Sequence, residues 1–162
     1  MKGVALVIAP EPFTGEDGRR LITDLEEDLG VRYADIDVLA DVDLAEMNRL
    51  RDDALFLVAR VDGEAVGCGA LRPHDDGVGE VKRMYVAPSA RGTGVGRALL
   101  DELRAAAVGL GYRRLVLETG IRQPEAMALY ESVGWRPIAN YGAYSAAEWS
   151  RCYELSLVSP PG

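Results

Sequence analysis

The sequence predicts a mixed α/β domain with a central, mostly antiparallel β-sheet of about seven strands flanked by about four helices. One supporting observation is a hairpin signal, Leu55 to Val61 and Glu64 to Leu71 joined by Asp62-Gly63. Asp-Gly suits a type I′ turn, because both central residues need positive φ. Another is the strand–glycine turn–helix–strand unit from Val81 to Glu118, which predicts a right-handed parallel crossover. Apolar residues at helical spacing supply the covering layers.

The elements follow in chain order. Val4 to Ile8 reads as a buried strand ended by Pro10 and Pro12. The segment is basic and then apolar, but Glu11, Glu16 and Asp17 follow without a small-residue cleavage site, so a strand is favoured over a leader. Glu16 to Leu29 reads as a helix on Leu21, Ile22, Leu25 and Leu29, with Gly30 as its C-cap. Leu44 to Leu50 reads as a second, short helix. After the hairpin, Pro73 to Gly79 reads as a polar loop and Val81 to Val86 as a strand. The next helix carries a stripe of Val95, Leu99, Leu103, Ala106 and Leu110 and stops at Gly111. Arg114 to Glu118 is a strand. Pro124 opens a helix whose buried face is Ala126, Leu129, Tyr130 and Val133. Trp135 to Ala139 and Cys152 to Val158 are the last strands. Residues 1–158 are expected to form one domain, with 159–162 as a frayed tail.

Composition narrows the function. The chain has 162 residues, 48% of them hydrophobic, enough to bury a core without disulfides or a structural metal. The formal net charge is −8, which argues against general nucleic-acid binding. Cys68 and Cys152 lie far apart in apolar runs, and His74 is the single histidine, so no metal cluster is expected. Reduced, buried thiols and the lack of any bilayer-spanning apolar stretch point to a cytoplasmic protein.

The most informative segment is Arg91-Gly92-Thr93-Gly94-Val95-Gly96, between a strand and a helix. Glycines let backbone N–H groups face an anion. The helix N-terminus adds unpaired donors and the positive end of its dipole. Arg91 and Arg97 add charge-assisted contacts, so a phosphate or pyrophosphate ligand is expected. A Walker loop needs Gly-Lys-Ser/Thr, whereas Arg97-Ala98 follows Gly96. The glycine spacing also departs from the dinucleotide fingerprint, although Glu118 lies about 20 residues further on.

Arg91 to Gly96 resembles the R/Q-x-x-G-x-G/A acyl-CoA signature of the GNAT superfamily of N-acetyltransferases. Gln123 to Trp135 resembles a second block of that family, N-x-x-A-x-x-L-Y-x-x-x-G-F. The resemblance implies the acyl-CoA N-acyltransferase fold, acetyl-CoA as co-substrate, no metal, and transfer of acetyl to the amine of a small molecule by direct attack in a ternary complex. Met84, Tyr85, Val86, Arg91, Gly92, Thr93, Gly94, Val95, Gly96, Arg97, Gln123 and Tyr130 would hold the cofactor, with pantetheine pairing to the backbone around Met84 and Val86. Gln123 stands where the family often has Asn. Tyr130 would be the general acid and Glu80 the base, with Glu118 a second candidate. A backbone N–H near Met84 or Tyr85 would meet the oxyanion if the strand bulges there. Arg72, Glu118, Tyr141 and Tyr144 are candidate acceptor contacts, with Arg32, Tyr33 and His74 in segments that line the acceptor side of relatives. Arg72 with Arg83 suits a carboxylate-bearing substrate, whereas the acidic balance suits a polycation. An acyl-CoA sensor without turnover and an enzyme acting on protein N-termini or lysines stay open, as does a homodimer through the C-terminal strands.

Overall fold

The Asp62-Gly63 turn forms as its chemistry requires, with φ of 50° and 86°. It joins β2 (Leu55–Val61) to β3 (Glu64–Asp75). The structure, a computed structural model, describes residues 5–36 and 48–158. Around the hairpin stand β1 (Leu6–Pro10), α1 (Glu16–Arg32), β4 (Val78–Val86), α2 (Val95–Gly109), β5 (Arg114–Gly120), α3 (Pro124–Ser132), β6 (Arg136–Ile138) and β7 (Ser150–Ser156). Single 3-10 turns at Pro88–Ala90 and Gly142–Tyr144 precede α2 and β7.

The seven strands make one sheet in the order β1-β2-β3-β4-β5-β7-β6. Every neighbouring pair is antiparallel except β4 and β5. That parallel pair is the crossover through α2 which the glycine turn predicted. Period-2 alternation sends successive residues to opposite faces. Leu57 and Ala59 join Leu71, Val81, Leu115, Leu117 and Tyr153 under α2 and α3. Phe56 and Val58 join Cys68, Ala70 and Tyr85 under Leu21 and Leu25 of α1.

Several boundaries differ from the sequence reading. β1 spans Leu6–Pro10 and is an edge strand with Leu6 and Val7 exposed, not a buried one. α1 runs past Gly30 to Arg32, where an Arg32–Asp28 pair at 3.1 Å braces the last turn. Pro73 lies inside β3, not in a loop. β2 ends its pairing at Leu71, so beyond it β3 has one neighbour and the missing N–H of proline costs nothing. In α2 the buried stripe ends on Ala107 rather than Ala106, and Leu110 is exposed. β5 extends to Gly120, and the last two strands are shifted to Arg136–Ile138 and Ser150–Ser156. Three α-helices occur among the described residues. Most of the fourth expected helix, at 44–50, lies outside them, as does the tail 159–162; Arg49 and Leu50 are not helical. No helix among the described residues is long and apolar enough to cross a membrane.

Leu103 is fully buried where α2 meets the sheet. Leu103→Ala is expected to cost about 2–5 kcal/mol and to lower Tm by roughly 5–15 °C, measured by calorimetry.

Candidate active site

The site forms where β4 and β5 part. They pair only at Val78–Arg114, Gly79–Leu115 and Glu80–Val116. Beyond that, β5 stays with β7 to Gly120 while β4 stays with β3. The cause lies in β4. Cys68 pairs with Tyr85 but Ala70 pairs with Lys82, so β4 carries one extra residue there. Such a bulge bends and twists its strand. Arg83 holds it with φ of 56°, and its carbonyl accepts a bond from the Cys68 thiol at 3.3 Å.

A cavity of about 420 Å³ opens on one side of the parting. The turn Arg91–Gly96 forms its far end, where Gly92 and Gly94 have φ of 75° and 91°. Gly94 is the N-cap of α2, so amides of the first turn face the cavity. Gly96 lies against Leu129, which a Cβ would approach to 3.0 Å. Arg91, Gly92, Gly94, Val95, Gly96, Arg97, Met84, Tyr85, Val86, Gln123 and Tyr130 all line the cavity. Thr93 does not; its hydroxyl donates to the Ala90 carbonyl. Arg91 Nε donates to the Val86 carbonyl at 2.9 Å, so that carbonyl is already engaged.

A smaller cavity of about 80 Å³ lies on the other side. Met84, Gln123, Tyr130 and Leu25 line both, so the two cavities meet there. Lys82, Arg83 and Glu118 line the smaller one alone. Burial is the main force pushing the Glu118 carboxyl up to about 7, against the nearby Lys82 charge and a 2.8 Å bond from the Ser150 hydroxyl. Lys82 is buried and its Nζ donates to the Tyr144 hydroxyl at 2.7 Å. Burial lowers its pKa, opposed by Glu80 and Glu118. Burial raises the pKa of the Tyr130 hydroxyl, reinforced by Glu118. That hydroxyl donates no hydrogen bond among the described residues.

Glu80 sits elsewhere. It is 1% exposed, and both its oxygens are engaged. Arg72 Nε donates to Oε1 at 2.8 Å and the Tyr141 hydroxyl donates to Oε2 at 2.6 Å. Burial, with the Glu80 charge behind it, raises the Tyr141 pKa strongly. Glu80 and Arg72 face a third cavity, with His74 stacked edge-on to Tyr141 at 5.0 Å. The structure thus separates Arg72 from Arg83, which the sequence grouped. Lys82 pairs with Tyr144 rather than Glu80.

Sequence reasoning missed the clasp over the parting. Arg32 forms an ion pair with Glu125 and donates to the Arg122 carbonyl at 2.9 Å. Arg122 pairs with Asp35 at 2.8 Å. Tyr33 lies over Gly120, where a Cβ would fall 1.8 Å from its hydroxyl oxygen. The Gly120 position, closing β5, was the one available signal of close approach.

The fold and the two-cavity site define an acyl-CoA transferase architecture, and the comparisons specify it. The family model described as Acetyltransferase (GNAT) family matches residues 18–135. An IAA acetyltransferase from Azospirillum brasilense is 43% identical over 127 residues, covering 74% of this chain and 83% of that protein. A putative acyl-CoA N-acyltransferase from Klebsiella pneumoniae superposes with a TM-score of 0.77 at 30% identity, over 94% of this chain and 98% of that one. A GNAT family acetyltransferase from Elizabethkingia anophelis, solved with acetyl-CoA bound, shares the fold with a TM-score of 0.67 at 19% identity, over 93% and 97%. The chain belongs to the GNAT family of acetyltransferases, and acetyl-CoA is the group held in the Elizabethkingia anophelis structure. The cavity fits that group: its left-handed glycines and helix amides would face phosphates, and the apolar lining at Met84 and Leu129 would take the arm. No cluster able to hold a metal occurs among the described residues.

Space is open around Gly94, so a Cβ there clashes with nothing and only the backbone objects. An alanine in that conformation costs about 1–2 kcal/mol. The free turn relaxes away from it, and binding must restore it. Gly94→Ala is expected to raise the Kd for acetyl-CoA about 10-fold, measured by calorimetric titration.

Proposed function

We propose that the protein acetylates the amine of a small molecule by direct attack, with Glu118 as general base and Tyr130 as general acid. The observation that carries this is the meeting of the two cavities at Tyr130, with Glu118 lining the acceptor side. The acceptor cavity of about 80 Å³ suits an amine-bearing head group.

The reaction needs a free amine, a stabilised oxyanion and a proton for the departing thiolate. Acetyl-CoA supplies the thioester. Glu118, held near 7, takes a proton from the ammonium and leaves a neutral nucleophile. Glu80 is less suited to that task, because Arg72 and Tyr141 occupy both its oxygens. It serves better as an anchor for the tyrosine loop. Arg83 and Met84 have no register partner in β3, and an amide of one of them would meet the developing oxyanion. Burial keeps the Tyr130 hydroxyl protonated, so it has a proton to give when the carbon–sulfur bond breaks.

A cytoplasmic setting accords with two buried cysteines that form no disulfide. β6, a three-residue edge strand paired on one side only, is the edge at which a second copy would add.

Release of free thiol from acetyl-CoA, followed across a panel of amines, tests the reading. kcat/KM should rise with pH through about 7, because only ionised Glu118 accepts a proton. Glu118→Gln should flatten that limb and lower kcat about 100-fold or more; a surviving limb assigns the base elsewhere. Tyr130→Phe should lower kcat about 10- to 100-fold while acetyl-CoA binds as before. A fully active phenylalanine variant removes the tyrosine from the proton path.

A further inference from the structure

The bulge in β4 leaves one polar atom unexplained. Arg83 Nε is buried and has no hydrogen-bond partner. Buried donors in native proteins are nearly always satisfied, and an orphan calls for a cause. Leaving one unpaired forfeits its bonds to water with nothing in return. The same residue has φ of 56°, a left-handed backbone that long side chains rarely adopt. That adds strain of its own, and such strain gathers at functional sites. The Arg83 side chain is 14% exposed, while Glu26, its ion-pair partner at 3.1 Å, is 57% exposed. A pair with so exposed a carboxylate offsets little of this.

Both penalties fall on a residue that lines the acceptor cavity. The extra residue in β4 brings Lys82 and Arg83 to that cavity together, opposite Glu118. One wall therefore presents the Arg83 guanidinium and the other carries a carboxyl. A simple ammonium meets the guanidinium with nothing to offer it. A molecule with a carboxylate close to its amine meets a complementary group on each side.

We propose that the acceptor is an α-amino carboxylate, a free amino acid or close analogue, whose carboxylate binds the Arg83 guanidinium while its amine faces Glu118. This rests on the acetyltransferase reading above and names its substrate class. A guanidinium fork matches a carboxylate in charge and planar geometry, and the carboxylate supplies the acceptor that Nε lacks. A cavity of about 80 Å³ holds the head group and leaves the amino-acid side chain to the open mouth. Arg72 plays no part in this contact, since it is held by Glu80 and faces a different cavity.

The test compares each amino acid with the amine left when its carboxylate is removed: phenylalanine with phenethylamine, leucine with isopentylamine, lysine with cadaverine. Thiol release gives kcat/KM, and calorimetry on the CoA-loaded enzyme gives binding without turnover. Amino acids should be preferred by about 100-fold or more, because removing the carboxylate leaves the buried guanidinium unpaired. Arg83→Asn is the informative variant. Asparagine tolerates positive φ, so the bulge survives while the guanidinium goes, and a Tm that does not fall shows it. That variant should erase the preference for the acid over the amine. Equal rates on acid and amine, or a preference that survives Arg83→Asn, overturns the proposal and leaves amine acetylation standing. Thiol release on no compound of either kind overturns the acetyltransferase site assignment itself, and this proposal with it.

Discussion

The pairing between β4 and β5 is the constraint on which the rest of the molecule depends. It must be strong enough to join two halves of a sheet and short enough to leave a gap. Three residue pairs, from Val78–Arg114 to Glu80–Val116, do the joining. The antiparallel partners on either side, β3 and β7, then carry the strands apart. A gap in a sheet exposes backbone donors and acceptors that elsewhere would be paired. Here they face cavities rather than apolar packing, and a ligand with its own amides can satisfy them. The strand parting, the bulge and the two cavities are therefore one feature seen from different sides.

Burial does most of the chemical tuning around that gap. Glu118, Lys82, Tyr130, Tyr141 and Tyr144 are all shifted chiefly by loss of water. Desolvation disfavours the charged form of each, so the carboxyl rises and the ammonium falls. The two buried carboxylates are held differently. Glu80 has Arg72 and Tyr141 on its oxygens, whereas Glu118 has only the Ser150 hydroxyl as a hydrogen-bond donor. One is held by two partners as an anchor, and the other has its carboxyl pushed up to about 7, where it can exchange a proton.

The donor side was legible in the sequence because its chemistry is local. Gly92 and Gly94 are adjacent in the chain to the helix whose amides they present, and both take the positive φ that glycine allows. The other side of the parting was much less legible, because its contacts join residues far apart in the chain: Tyr144 with Lys82, Ser150 with Glu118. The bulge gave almost no signal, since its left-handed residue is an arginine rather than glycine or asparagine. Pro73 misled for a related reason. Whether a proline interrupts a strand depends on whether a neighbour needs its N–H, and that is decided by where β2 stops.

The two thiols have a practical consequence at the bench. Cys68 is fully buried, with its pKa pushed to about 12, and Cys152 is 2% exposed with its pKa near 11. It is the thiolate that attacks a thiol reagent, and burial holds both side chains as thiols at neutral pH. A chromogenic disulfide added to the native enzyme therefore reads coenzyme liberated by turnover over a low protein blank. A rising blank in that same cuvette reports loss of the native fold, so one dye monitors both catalysis and the health of the catalyst.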